Sequence, residues 1–353
     1  MKLICSSLMM EDNILDLRAT DMIPEKKQIT VRPQKFSSAA SVASLLWRAL
    51  INLGKYHEIV RLLKLPPFPE TVRNNPRFAF KFLLTNYLVR GSTGIEGVTC
   101  FLHHYSRLRN ALPDHLLRQT LHWDITLHDF SDGGNQIAIT MGRSRPCDKE
   151  GELSLNLKVN GDIVYVLSFA IIPGRVVGAN AAEVLLVTRL QGTPGCYAQI
   201  KLATKASHEV GPSALLLAAL QGVADGFGVR EIAAVDAEKQ SSYCEGFAVC
   251  FKSAYDDFFS KLAMDKTASG FYLSPVPIED KPIALIKQGH KLRTKEKRAF
   301  KQQIRAYCAG FFIGRSDQKG HDPDEVTKAS VSKDPDLQAL HISWPTLDND
   351  PIS

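Results

Sequence analysis

The most regular pattern in the chain is the Ala- and Leu-rich stretch Ser213–Phe227, in which apolar residues recur at helical spacing. Pro212 suits the first position of a helix, because its missing N–H would have no partner there. Gly228 can end the helix in a left-handed conformation. The apolar run Ile232–Val235 is typical of a buried strand, so the pattern predicts a helix that leads into a sheet.

The first third of the chain also follows the helical period. One helix is predicted over residues 39–65, an aromatic-rich helix over residues 76–88 and another over residues 95–112. Together they predict a helical N-terminal region over residues 37–118. Residues 1–36 have no sustained period, and we interpret them as a mobile leader.

The pattern then changes to a two-residue alternation, which is typical of half-buried strands. The predicted strands are, in chain order, Leu121–Leu127, Ile137–Met141, Leu153–Val159, Ile163–Ile172 and Val184–Leu190. Asn160-Gly161 lies between two of these runs and predicts a tight hairpin, since both residues tolerate a positive φ.

These patterns predict an α+β fold: an antiparallel-rich central sheet with flanking helices, a helical layer before it and a basic helix after it. We assign the core to residues 119–275, a basic helical extension to residues 276–313 and a disordered tail to residues 314–353, which contain few large apolar residues. Residues 196–207 are ambiguous. They alternate like a strand but consist of good helix formers, and we favour a helix.

Composition narrows the class of protein. The 353 residues are 44% hydrophobic and 23% charged, as in an ordinary soluble protein. The seven scattered cysteines form no C-x-x-C pair, which favours reduced thiols over a disulfide framework or a zinc site. The first apolar run is too short for a secretion signal. We therefore expect a cytoplasmic protein, with His103-His104 structural and no metal bound.

Seven segments of the chain resemble, in the same order, those of the VirK/YbjX family of bacterial proteins. They are KEGELSLNLK (149–158), YVLSFAI (165–171), LQG (190–192), ATKASH (203–208), PSALLLAAL (212–220), AYDDFFSKLA (254–263) and a basic stretch at 291–298. The similarity extends over residues 40–310. One departure is visible: the family often reads His-Gly-x-Arg-Pro where this chain has His208-Glu209-Val210-Gly211-Pro212.

The resemblance implies an accessory role in the bacterial envelope with an unknown biochemical activity. It implies a part in envelope integrity, surface display of a virulence factor, resistance to antimicrobial peptides or a stress response. On this interpretation the partner is an anionic membrane surface or an envelope protein, and the protein is cytoplasmic or peripheral to the inner membrane.

A candidate ligand site precedes the Pro212 helix. The first N–H groups of a helix and its positive dipole end favour anions. Lys205 and His208 lie just before this end, and we interpret them, with Gly211 and Gln191, as contacts for a phosphate or for the pyrophosphate of acyl-CoA. The alternative is a surface loop with solvated charges, which is the commoner arrangement.

An enzyme is the second interpretation. Meander strands followed by a turn, an Ala- and Leu-rich helix and a strand resemble the order in Gcn5-related acetyltransferases, which implies acyl-CoA as the donor and a strand at residues 196–204. The chain lacks that family's Gln/Arg-x-x-Gly-x-Gly/Ala turn. Glu152, His208 and Tyr255 are candidate general bases. The pair Glu150 and Glu152 is typical of exposed side chains at a strand edge.

A cluster of basic residues marks the predicted C-terminal helix. Those that we interpret as membrane- or anion-binding are Lys287, Lys291, Arg293, Lys295, Lys297, Arg298 and Lys301. A basic amphipathic helix can lie on anionic lipid, bind phosphates of nucleic acid or pack on the core with a solvated basic face. We favour a membrane over nucleic acid, because the chain contains no groove-reading motif.

Overall fold

The computed structural model describes residues 53–145 and 148–316. The predicted leader, the first part of the helix predicted over residues 39–65, and the predicted tail from residue 317 onward lie outside these residues. One buried hydrophobic core extends from Ile59 to Phe312.

The described part of the chain begins with a helical layer, as predicted. Its helices are α1 (Leu53–Leu63), α2 (Phe68–Asn74), α3 (Gly94–Ala111) and α4 (Asp114–His122). The start of α3 is fixed by a capping box, in which Thr93 and Glu96 satisfy each other's backbone N–H groups.

The prediction of an aromatic-rich helix over residues 76–88 is wrong. The segment forms two 3-10 turns, Pro76–Ala79 and Lys81–Leu83, and its backbone then becomes left-handed at Asn86 and Leu88. Phe78, Lys81 and Phe82 are all buried. A regular helix with one exposed face is therefore replaced by tight turns that send several consecutive side chains inward.

Eight strands form one sheet, and the predicted antiparallel-rich α+β fold is confirmed. The strands are β1 (Ile125–Asp132), β2 (Asn135–Arg143), β3 (Leu153–Val159), β4 (Asp162–Pro173), β5 (Glu183–Gly192), β6 (Glu231–Val235), β7 (Asp265–Lys266) and β8 (Phe271–Pro275). Their order is β1-β2-β3-β4-β5-β6-β8-β7, and β5 and β6 alone are a parallel neighbouring pair among these described strands. The predicted Asn160-Gly161 hairpin joins β3 to β4, with φ angles of 52° and 91°.

The first strand begins later than predicted. Leu121 lies within α4, and β1 begins at Ile125. Leu121 at the end of α4 and Ile125 at the start of β1 are both buried. The apolar alternation therefore continues across the boundary between helix and strand and does not show where it lies.

Two helices connect the parallel strands. They are α5 (Tyr197–Ala206) and α6 (Pro212–Phe227), and Gly228 ends α6 at φ 71° as predicted. The ambiguous residues are therefore helical, which confirms the favoured alternative. The strand that the acetyltransferase comparison implied at residues 196–204 is contradicted by α5.

Residues 248–261, after β6, form three consecutive short helical segments, and a long helix closes the described part of the fold. The short segments are α7 (Ala248–Lys252), a π-helix (Ser253–Asp257) and α8 (Phe258–Lys261), and the long helix is α9 (Lys291–Ser316). Helix α9 packs on α6 through a close approach at Gly222, where an added Cβ would lie 2.3 Å from the Arg305 carbonyl oxygen. Arg305 also forms a bidentate pair with Asp225 of α6.

The cysteines only partly match the prediction of reduced thiols. Cys100, Cys196, Cys244 and Cys308 are free. Cys250 is disulfide-bonded, so the prediction is wrong at that position.

Candidate functional site

The parallel strands β5 and β6 diverge at their carboxyl ends. They pair from Leu185 to Val187, and β6 ends at Val235, whereas β5 continues to Gly192. A bulge that leaves Thr188 as the extra residue of β5 lies where the pairing ends. Carboxyl ends of parallel strands are frequent ligand sites in sheets with helical crossovers, and bulges are common beside such sites.

Tyr255 lies at the divergence. Its hydroxyl oxygen accepts a hydrogen bond from the Leu190 backbone N–H of β5 at 3.3 Å. Burial raises the pKa of Tyr255, and the nearby Glu150 carboxylate raises it further. The phenol is therefore neutral near pH 7 and keeps a proton to donate. Tyr255 belongs to the π-helix, an element that is rare and frequently found at functional sites.

A buried carboxylate is held beside Tyr255. Glu150 accepts hydrogen bonds from Arg189 Nη1 at 3.5 Å, Gln240 Nε2 at 3.4 Å and the Ser242 hydroxyl. Glu150, Arg189 and Gln240 are buried, but Ser242 is exposed. The network therefore extends from the divergence of the strands to the protein surface.

A second buried carboxylate lies two residues further along the same segment. Glu152 is 0% exposed, forms an ion pair with Lys81 at 2.6 Å and accepts hydrogen bonds from the Tyr87 and Tyr105 hydroxyls. Burial, followed by the charge of Glu152, raises the pKa of both tyrosines. We call these two carboxylates and their partners the buried polar cluster. The expectation that Glu150 and Glu152 are exposed is wrong.

The three predicted catalytic residues are not brought together as one set. Glu152 has all three of its partners inside the protein. His208 is exposed at the end of α5, and Tyr255 is buried at the divergence of β5 and β6. Of the three, Tyr255 lies beside a backbone N–H group and the Glu150 carboxylate, and this combination of polar groups could take part in catalysis.

The predicted anion-binding residues are also separated. Lys205 and His208 line a cleft of about 630 Å³, whereas Gly211 and Gln191 are not among the residues that line it. At the amino end of α6, Pro212 and Ser213 are buried, so neighbouring groups cover the helix end that the prediction left open.

Some of the predicted basic residues are already paired within the protein. Arg293 pairs with Glu209, and both Arg298 and Lys301 pair with Asp280. Lys297 also has an interaction with another residue. The remaining three, Lys287, Lys291 and Lys295, lie near the start of α9 and form no ion pair within the described ranges.

Two further searches concern metals and membranes. Within residues 53–145 and 148–316, no three His, Cys, Asp or Glu side chains are placed to hold a metal ion together. None of the helices in the described part of the chain combines the length and the apolar character that crossing a membrane requires.

A family model described as "Protein of unknown function (DUF535)" matches residues 34–306, most of the chain. The chain belongs to the DUF535 family. Among curated proteins no match is found. Among solved structures no match is found either.

Sequence reasoning missed most of the buried polar cluster of this DUF535 protein. The overlooked residues are Lys81, Tyr87, Tyr105, Arg189, Gln240 and Ser242, and Glu150 was expected to be exposed. A usable signal was present: Lys81 lies among phenylalanines and Arg189 lies within the apolar run of β5. A charged residue inside an apolar run requires a buried partner of opposite charge, because an isolated buried charge is very costly.

Proposed function

We propose that this protein is a VirK/YbjX-like accessory protein of the bacterial envelope that works at an anionic membrane surface. The basic surface at the start of α9 supports the proposal; we define it as Leu285, Lys287, Lys291, Leu292 and Lys295. Leu285 and Leu292 are 76% and 71% exposed. Exposed leucines flanked by lysines suit the boundary between anionic headgroups and acyl chains.

The way in which α9 is anchored fits this role. Its second half is fixed to α6 by buried Ile304, Cys308 and Phe312, while its first two turns are partly to fully exposed. The helix therefore offers lysines and leucines to a surface without leaving the core. On this proposal the protein lies on one side of the membrane, and an envelope protein is the alternative partner.

Sedimentation with vesicles tests the membrane proposal. The full-length protein should bind vesicles that contain anionic lipid, weakly bind neutral vesicles, and dissociate as salt is raised. Because each lysine near such a surface contributes about 1 kcal/mol, Lys287→Gln with Lys291→Gln should weaken binding about 30-fold. Leu285→Ser with Leu292→Ser should weaken it further at high salt.

A matched control carries the same loss of charge elsewhere. Lys64 and Lys201 are exposed and lie outside the basic surface. Lys64→Gln with Lys201→Gln should leave binding unchanged. Equal losses in both double variants, or stronger binding to duplex DNA than to anionic vesicles, would contradict the proposal.

A second candidate function is acyl transfer from a CoA thioester, and the site at Tyr255 favours it. The neutral Tyr255 hydroxyl accepts a hydrogen bond from the Leu190 N–H at the divergence of β5 and β6 and keeps its own proton. This hydroxyl is a donor that suits the oxygen of an acyl carbonyl, on which negative charge develops during transfer. Glu150, held by Arg189, lies close enough to raise the pKa of Tyr255.

Thermal unfolding with acetyl-CoA and longer acyl-CoAs tests this candidate. A ligand at 100 times its Kd stabilises the native state by about 2.7 kcal/mol. We expect Tyr255→Phe to reduce acyl transfer, and Tyr197→Phe, on the exposed face of α5, to leave it unchanged. The absence of stabilisation by every acyl-CoA tested would remove the support for acyl transfer.

A further inference from the structure

A cleft separates the edge strand β1 from helix α9 and the end of α5. Its volume is about 630 Å³, within the usual range for small-molecule sites. Its walls include His128 and Phe130 of β1, Lys205 and His208 at the end of α5, and Phe300 and Tyr307 of α9. We call it the aromatic cleft.

Five aromatic rings of the cleft form one continuous series. His128 stacks on Tyr307 with centroids 4.4 Å apart and planes at 12°, and it also contacts Phe130 at 5.7 Å. Phe300 then contacts Phe130 at 5.8 Å and His208 at 4.9 Å. Such a surface favours a flat aromatic ligand over a flexible chain, because rings gain stacking contacts on it.

The state of His128 suits stacking. Burial lowers the pKa of His128, although the nearby Asp129 carboxylate acts in the opposite direction. The imidazole is therefore mostly neutral at pH 7. A neutral ring can stack within the aromatic series without the hydration that a cation would hold.

The backbone at the cleft is strained. His208 and Glu209 have φ angles of 53° and 60°, in the left-handed region that L-residues rarely adopt. The ion pair between Glu209 and Arg293 of α9, at 3.2 Å, holds this turn against the helix. Strained backbone tends to persist where it places a functional group, and here it places the His208 ring against Phe300.

The rim of the cleft carries complementary charges. Lys205 and Asp132 are exposed, and neither forms an ion pair with another residue that the structure describes. Lys205 suits a phosphate group. Asp132, Ser131 and Gln303 supply acceptors and donors for hydroxyl or amino groups.

We propose that the aromatic cleft binds a nucleoside phosphate, with the base on the ring series and the phosphate at Lys205. The aromatic rings suit a planar base, the polar side chains of the rim suit a sugar, and Lys205 suits the phosphate. The inference does not rest on membrane binding or on acyl transfer, since it involves neither the basic surface nor Tyr255.

Calorimetric titration of the full-length protein with the four ribonucleoside monophosphates tests the proposal. At least one should bind with one site per chain. The matching nucleoside, which lacks phosphate, and ribose 5-phosphate, which lacks the base, should each bind at least about tenfold more weakly, as expected when a charge-assisted contact or a stacked ring is lost.

Two variants locate the site. Lys205→Gln should weaken the nucleotide about tenfold and leave the nucleoside unchanged, because only the phosphate contact is lost. Phe300→Leu should weaken both. Lys201→Gln, an exposed lysine on the same helix, is the control and should change nothing. Circular dichroism verifies that each variant is folded.

Three results would overturn the proposal. They are no binding of any of the four nucleotides at millimolar concentration, binding that is insensitive to both Lys205→Gln and Phe300→Leu, and binding of ribose 5-phosphate as tight as that of the nucleotide. The last result would indicate an anion site without recognition of a base.

Discussion

The buried polar cluster and the basic surface of α9 use the same charged residue types in opposite ways. Lys81 is fully buried and its charge is matched by Glu152 at 2.6 Å. Lys287 and Lys291 lie near exposed leucines and have no acidic partner among the described residues. Buried charges must be matched inside the protein because water cannot solvate them, whereas unmatched surface charges remain available for an external partner.

The two buried carboxylates, Glu152 and Glu150, differ in the same way. The pair of Lys81 and Glu152 joins the helical layer to the sheet, together with the Tyr87 and Tyr105 hydroxyls. Glu150 is equally buried, but its network reaches Tyr255 and the exposed Ser242. We therefore assign Glu152 to holding the layers together, and Glu150 to the candidate site.

The largest predicted effect tests whether the buried pair is structural. Lys81→Met should destabilise the protein by about 3–5 kcal/mol, because it leaves the buried Glu152 carboxylate without its cation. Lys301→Met removes a partly exposed pair with Asp280 and should cost at most about 1 kcal/mol. Urea unfolding measures both changes.

A double variant sharpens this test. Lys81→Met with Glu152→Gln removes both charges and should recover much of the lost free energy of unfolding, because no unpaired charge remains. If Lys81→Met costs no more than Lys301→Met, the two regions do not differ in the way that their burial indicates.

The second prediction concerns how firmly α9 is held while its first turns are exposed. Gly222→Ala should destabilise the protein by about 1–3 kcal/mol, because the added methyl group meets the Arg305 carbonyl and Cys308. Gly310→Ala is the control, since an added Cβ there meets no atom within 4 Å. Thermal unfolding measures both, and similar values would mean that α9 is not closely packed on α6.

The parts of the fold that could be predicted from sequence are those that local residues determine. Periodicity found α6, β6 and the Asn160-Gly161 hairpin, because each is determined by local residues: proline and glycine at the helix ends, and two residues that tolerate positive φ. It failed over residues 76–88, where burial on several sides removes the helical period.

The candidate site was less predictable, since it depends on contacts that are distant in the chain. Glu150 meets Arg189, Gln240 and Ser242, which lie 39 to 92 residues away. No local spacing records such a set. Tyr255 was a candidate from the sequence, but its partner is the backbone N–H of Leu190, in the part of β5 that continues past the end of its pairing with β6.

The third prediction uses pH to test a buried histidine in the interior. His104 is fully buried, its Nδ1 accepts the Ile171 N–H at 3.0 Å, and burial holds its pKa well below the ordinary value. Below about pH 6.5 the unfolded chain binds a proton that the folded chain does not. Stability should therefore fall by up to about 1.4 kcal/mol per pH unit as the pH decreases.

A variant isolates this contribution. His104→Asn keeps an acceptor for Ile171 and cannot be protonated in this range. The difference in free energy of unfolding between the variant and the natural protein should be constant above pH 7. It should shift in favour of the variant below pH 6.5, and a pH-independent difference would show that His104 is protonated in the folded state.

The smallest predicted effect lies at the aromatic cleft, where surface residues are strained. Position 209 carries Glu at φ 60°, in the left-handed region. Glu209→Gly and Glu209→Ala both remove the pair with Arg293, but only glycine adopts a left-handed backbone without a steric penalty. Glu209→Gly should therefore be more stable than Glu209→Ala by about 1 kcal/mol in urea unfolding. Equal stabilities would show that the turn is not held in the left-handed region, and the placement of His208 against Phe300 would then have no support from the backbone.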